Sequence, residues 1–122
     1  MPNHQFENLD VWKRAARMTV DVLKCVKPIK LYALRDQMVR AAISVPSNIA
    51  EGAERDSDRE FARFLRIAKG SAGELRTQFY IGVKAGIFDA ETVNPYIKEL
   101  KELGSMLQGL VRTLLPENIT PP

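Results

Sequence analysis

The stretch "SVPSNIAEGAER", residues 44–55, decides how this chain divides into elements. It follows "LRDQMVRAAI" (34–43) and runs into "DSDREFARFLRIAKG" (56–70), both with the apolar spacing of a helix. Pro46 lacks a backbone N–H, and its ring clashes with the carbonyl four residues back, so it should end a helix. The apolar stripe does not reset there. Leu34, Met38, Ala41, Val45, Ile49 and Gly52 stay in phase on both sides of it. The spacing therefore predicts one helix, kinked at Pro46, with the Ala42 carbonyl left without a backbone partner. Pro46 falls to the side of this stripe, next to Val39, Ile43 and Ala50. On this reading the motif is first a packing device.

Working outward, four helices are expected at about residues 8–27, 32–53, 58–86 and 90–115. In the first, Leu9, Trp12, Ala16, Val20 and Leu23 share a face at about 100° per residue. Val11, Met18, Val22 and Cys25 form a second apolar stripe beside it. Together they span about 180°, more than the roughly 100° that packing on one core needs. The second stripe thus asks for another partner. "SDRE" at Ser57–Glu60 reads as a capping box opening the third helix. Its core face is Phe61, Phe64, Leu65, Ala68, Ala72, Leu75, Phe79 and Val83. Gly70, Gly73 and Gly82 within it suggest close helix approach or mere tolerance. Asp89 or Thr92 caps the fourth helix, which carries Val93, Tyr96, Ile97, Leu100, Leu103, Leu107, Leu110, Val111 and Leu114. Pro95 is expected in or near its first turn, and "PENITPP" is expected to fray. There is no strand signal and no internal repeat. Amphipathic helices of this length with short connections imply an all-α fold, an antiparallel up-and-down four-helix bundle.

Composition agrees with a single domain over residues 1–122: 45% of residues are apolar and 27% charged. The net charge of +3 permits an anionic partner without demanding one. Cys25 is the only cysteine, so no internal disulfide can form, and a reducing, cytoplasmic setting is expected. No signal peptide and no membrane span are expected.

Few chemistries fit. A ferritin-like metal site needs two Glu-x-x-His pairs, and His4, ahead of the first helix, is the only histidine. His4 reads as a solvated residue and Cys25 as a small apolar side chain. "GSAG" at 70–73 lies within a helix and lacks the lysine and serine of a phosphate loop. No cofactor or metal is expected.

Two constellations remain. The first is a polar line on the second helix, Gln37, Arg40, Ser44, Asn48 and Glu51, which Ser71 and Glu74 of the third helix could meet. It reads as a structural hydrogen-bonded network fixing helix register, with a binding or catalytic groove as the sharper alternative. The second is a basic face on the third helix, Arg55, Arg59, Arg63, Arg66, Lys69 and Arg76, opposite the phenylalanine stripe. Such a row can contact the phosphates of RNA or DNA and release counterions; otherwise it is a solvated outer face. No aromatic residue is expected to interleave with these arginines on that face, which leaves base stacking unsupported.

"FENLDVWKRA" (6–15), "QMVRAAISVPSNIAEG" (37–52) and "REFARFLRIAKGSAGEL" (59–75) carry a resemblance. The chain resembles, over nearly its whole length, the four-helix bundle family named for 23S rRNA intervening sequences, also called S23 ribosomal proteins. The family is known from open reading frames in insertions within bacterial 23S rRNA genes. The resemblance implies an up-and-down bundle that assembles as a homopentamer, with no established activity. A more distant likeness, to the accessory variability protein of diversity-generating retroelements, implies by analogy a basic bundle that binds nucleic acid and a protein partner.

These readings converge on a non-enzymatic oligomeric binding protein, associated with RNA or a ribonucleoprotein through the basic face. The alternative is a protein–protein adaptor or scaffold with no nucleic-acid role. An enzyme would have to use Glu51, Glu74 and Arg40 as acid, base and anion clamp.

Overall fold

The computed structural model describes residues 5–116. The expectations for His4 and for the tail beyond Pro116 lie outside the described residues. A 3-10 turn at Phe6–Asn8 leads into α1 (Asp10–Val26), α2 (Tyr32–Ala53), α3 (Asp58–Lys84) and α4 (Ala90–Leu114). No strand occurs among the described residues. Each helix packs against the next, α1 closes against α4, and the diagonal pairs do not meet. The result is an antiparallel up-and-down four-helix bundle with short connections at 27–31, 54–57 and 85–89.

The ends of the helices follow local chemistry. Ser57 Oγ accepts the Glu60 N–H at 3.1 Å, the first half of the capping box. The Glu60 carboxylate turns to Arg63 Nε at 3.1 Å rather than back to the cap. α3 stops at Lys84, two residues before the expected end, because Gly86 takes a φ of 75°. The Ile87 N–H then reaches the Gly82 carbonyl at 2.8 Å and the Gly86 N–H the Val83 carbonyl at 3.1 Å. This is the paired closure of a Schellman turn, and glycine adopts its left-handed residue without strain. The turn folds Phe88 over Gly82, where a Cβ would lie 2.3 Å from the ring. Asp89 caps α4 by accepting the Thr92 N–H at 3.2 Å. Pro95 therefore stands sixth in α4, in its second turn rather than its first.

α2 is continuous from Tyr32 to Ala53 with Pro46 inside it. Met38, Ala41, Val45 and Ile49 lie fully in the core on both sides of the proline. The Ala42 carbonyl, which loses its backbone donor to Pro46, is not left empty. Thr19 of α1 donates its hydroxyl to it at 2.9 Å. The same oxygen lies 2.8 Å from the Ala15 carbonyl of its own helix. That carbonyl sits within the regular ladder of α1, so the single hydroxyl proton satisfies a greater need at Ala42.

This contact turns α1. The stripe expected to need a second partner, Val11, Met18 and Val22, is the bundle core, together with Ala15 and Val26. Trp12, Ala16 and Leu23 are half-buried on the flank beside α2, and Val20 is 49% exposed. Both stripes exist as expected, but their roles are exchanged. Across the bundle, Arg14 joins α1 to α4. Its Nε donates to Glu99 Oε2 at 2.9 Å, and Nη2 bonds both Glu99 Oε1 and Glu102, the latter at 2.9 Å. Hydrogen bonds to Glu99 and then Glu102 raise the guanidinium above its ordinary range, and the same bond holds the Glu102 carboxyl low.

Gly52 marks the tight end of the α2–α3 contact, where an added Cβ would fall 2.8 Å from Phe64 Cβ. At Gly70 and Gly73 a Cβ would meet nothing within 4 Å, so close approach within the bundle does not explain them.

Replacing Thr19 by valine keeps the shape and removes the donor to Ala42. The expected cost is about 1–3 kcal/mol, that of an unsatisfied buried carbonyl. Pro46→Ala restores the backbone N–H, so in that background Thr19→Val should cost markedly less. A double-mutant cycle by urea denaturation measures the difference. Strict additivity of the two substitutions would contradict the assignment.

Candidate nucleic-acid interface

The polar line condenses into a smaller centre. Ser44 Oγ and Ser71 Oγ lie 2.8 Å apart across the α2–α3 contact. Asn48 Nδ2 donates to the Ser44 carbonyl at 2.8 Å and to Ser44 Oγ at 2.9 Å. These three half-buried side chains form a closed set joining the two helices. Gln37, Arg40 and Glu74 lie exposed beside it. Glu51 is exposed too, with its carboxylate held by Arg55 Nη2 at 2.7 Å, one turn along. A carboxylate at the seam would have to shed water, and the arginine offers it a partner outside. Gln78, which sequence reasoning passed over, is 94% buried with no hydrogen-bond partner for Oε1. No sequence signal marked it, because a glutamine on an amphipathic helix reads as surface.

Helix geometry divides the basic face in two. Arg55 and Arg63 are each tied to a carboxylate, Glu51 and Glu60 respectively. Both guanidiniums also lie over the Phe64 ring, at 4.8 and 4.6 Å from its centroid. An aromatic does stand among the arginines, therefore, but Phe64 is only 6% exposed and serves them as a platform rather than a base. Arg59 and Arg66 project from the outer face of α3, in no ion pair among the described residues.

Lys69 and Arg76 belong elsewhere. They line one wall of a groove of about 320 Å³ between α3 and α4. The other wall is Lys101, Ser105, Gln108 and Arg112 of α4, with Gly104 beside them. Lys69 Nζ donates to Gln108 Oε1 at 2.9 Å and fixes the register of the two walls. Sequence reasoning missed Lys101 and Arg112. Their spacing of 101, 105, 108 and 112 is a helical stripe, but only the packing of α4 on α3 shows that it faces Lys69 and Arg76.

Little here suits other chemistry. Among the described residues no group of three or more His, Cys, Asp or Glu side chains is placed to hold a metal ion. Cys25 is half-buried, and burial pushes its thiol up. No described helix is long and apolar enough to cross a membrane.

The family model described as "23S rRNA-intervening sequence protein" matches residues 7–109. No curated protein matches the chain. Among solved structures, the chain is similar to a protein of unknown function from the S23 ribosomal protein family of Bacteroides thetaiotaomicron. The TM-score is 0.80 at 19% identity, over 84% of this chain and 98% of that one. At that identity the likeness shows the fold.

The seam and its exposed neighbour should separate in denaturation. Asn48→Ala removes the side-chain donor to Ser44 Oγ and the second donor to the Ser44 carbonyl, and should cost about 1 kcal/mol. Glu51→Ala removes an ion pair exposed on both sides and should change stability by no more than about 0.5 kcal/mol. Equal losses in the two variants would place Glu51 in the network after all.

Proposed function

We propose, from the premise that the chain belongs to the 23S rRNA-intervening sequence protein family, that it is a non-enzymatic, oligomeric binding protein associated with RNA or a ribonucleoprotein. The observation that carries this reading is the unneutralised charge on α3. Arg59 and Arg66 project outward, and Lys69 and Arg76 face the α4 groove, none of them in an ion pair among the described residues. Charge left open on a rigid helix meets phosphates at little ordering cost. The family description refers to rRNA genes, which agrees with such a partner while naming a gene location rather than an activity.

Assembly is supported by the outer side of α1 and α2. Val20 and Ile43 are 49% and 44% exposed, and an apolar groove beside them is lined by Trp12, Ala16, Pro46 and Ala50. Apolar surface of this kind is covered by further copies, five in the assembly we propose. The adaptor reading draws on a different observation, the exposed Tyr80 and Ile81 on the outer side of α3. A protein partner would bury those two side chains.

Gel filtration with light scattering should report a pentamer at micromolar concentration; a stable monomer would remove the assembly from this reading. Fluorescence anisotropy with a structured RNA should show binding that weakens by roughly one power of salt concentration per phosphate neutralised. Substitution of Arg59 and Arg66 by glutamine should weaken it further while leaving the melting temperature in place. Absence of RNA binding by the wild type at low salt would leave the adaptor as the function.

A further inference from the structure

We infer that the groove between α3 and α4 is the seat of the RNA phosphodiester backbone, with Lys69, Arg76, Lys101 and Arg112 as its cations; this rests on the RNA-binding reading above. Four positive side chains from two helices converge on one groove whose lining contains no acidic residue. No carboxylate among the described residues pairs with any of the four, whereas Arg55 and Arg63 spend their charge on Glu51 and Glu60. The two acidic groups of α4 nearest in sequence to the groove cations are turned away. Glu99 and Glu102 are held by Arg14 on the α1 side. The bundle thus sorts its charges, leaving this one valley basic. A concave site lined by one sign of charge focuses potential more strongly than a convex ridge such as Arg59 and Arg66.

The length of the groove favours a chain of phosphates over one small anion. The Lys69–Gln108 bond sets an antiparallel register in which Arg76 stands opposite Lys101, seven residues along on each helix. At the helical rise, the Lys69 and Arg76 stations are about 10 Å apart. The groove lining has no aromatic side chain, so the contacts read charge rather than bases. Glycine is among the poorest residues for a helix interior, yet a Cβ at Gly104 would meet nothing within 4 Å. Packing inside the bundle does not require it, as it does not require Gly70, Gly73 or Gly109, and the position leaves the groove open beside Ser105.

Three forms of the full chain are compared by anisotropy against the same structured RNA: the wild type, Lys101→Gln with Arg112→Gln, and Gly104→Leu. Both variants should melt no lower than the wild type. The double variant should bind at least about tenfold more weakly at 0.1 M salt, and its log–log salt slope should fall by about two. Gly104→Leu should lose affinity with its salt slope nearly unchanged, because it blocks the groove without removing charge. Wild-type binding retained in both variants would overturn the groove while leaving the reading on the outer arginines. No binding by the wild type at low salt would overturn both.

Discussion

The bond from Thr19 to the Ala42 carbonyl is the contact on which the arrangement of the other helices rests. Pro46 stands inside a buried helix and removes the backbone donor that Ala42 would otherwise have. Ala42 is fully buried, so water cannot stand in for the missing N–H, and an empty carbonyl there would carry its whole desolvation cost. Thr19 supplies the donor from the neighbouring helix. A hydroxyl reaches only one direction at one height, so the bond fixes both the rotation of α1 and its position along α2. That rotation selects Val11, Ala15, Met18, Val22 and Val26 as the core stripe. It also sets Trp12 and Ala16 on the rim, against the proline that caused the vacancy.

On its other side α2 meets α3 through different physics. Close approach at Gly52 brings the backbones together, and the Ser44–Asn48–Ser71 set holds the register farther along. Hydrogen bonds within a half-buried seam add less to stability than apolar packing of the same area, but they tolerate no slip, because a shift of one residue leaves every partner empty. α2 is therefore indexed twice, to α1 by a carbonyl and to α3 by hydroxyls. α3 and α4 pack with a regular apolar core, and their polar tie, from Lys69 to Gln108, lies exposed at the outer edge, where the contact opens into a groove.

The charges follow the same division of labour. Acidic side chains are used where they tie helices or turns: Glu99 and Glu102 on Arg14, Glu51 on Arg55, Glu60 on Arg63. The cations of α3 and α4 that face one another have no such partner. A net charge of +3 does not describe this, since these paired carboxylates lie away from the groove where the unpaired cations meet. Association with a polyanion depends on that local field rather than on the sum.

The sequence by itself determined the four helices, the phase of α2 through Pro46, the cap at Ser57 and nearly the whole core of α2, α3 and α4. Each of these rests on local spacing or on one residue's own chemistry, and both survive in a linear reading. It also located the seam at Ser44, Asn48 and Ser71 and the family to which the chain belongs. Tertiary structure decided the rest. Two apolar stripes on α1 score alike by periodicity, and only a carbonyl 23 residues away in the chain distinguishes them. Glu51 shares the spacing of Asn48 but finds Arg55 outside the seam. Six cations that form one row in sequence divide between a ridge and a groove, and Lys101 and Arg112 join the groove from another helix. A helix face is a property of one segment, whereas a site is a property of two segments at a fixed rotation. That rotation is set by contacts between residues distant in the chain, which spacing along one helix does not encode.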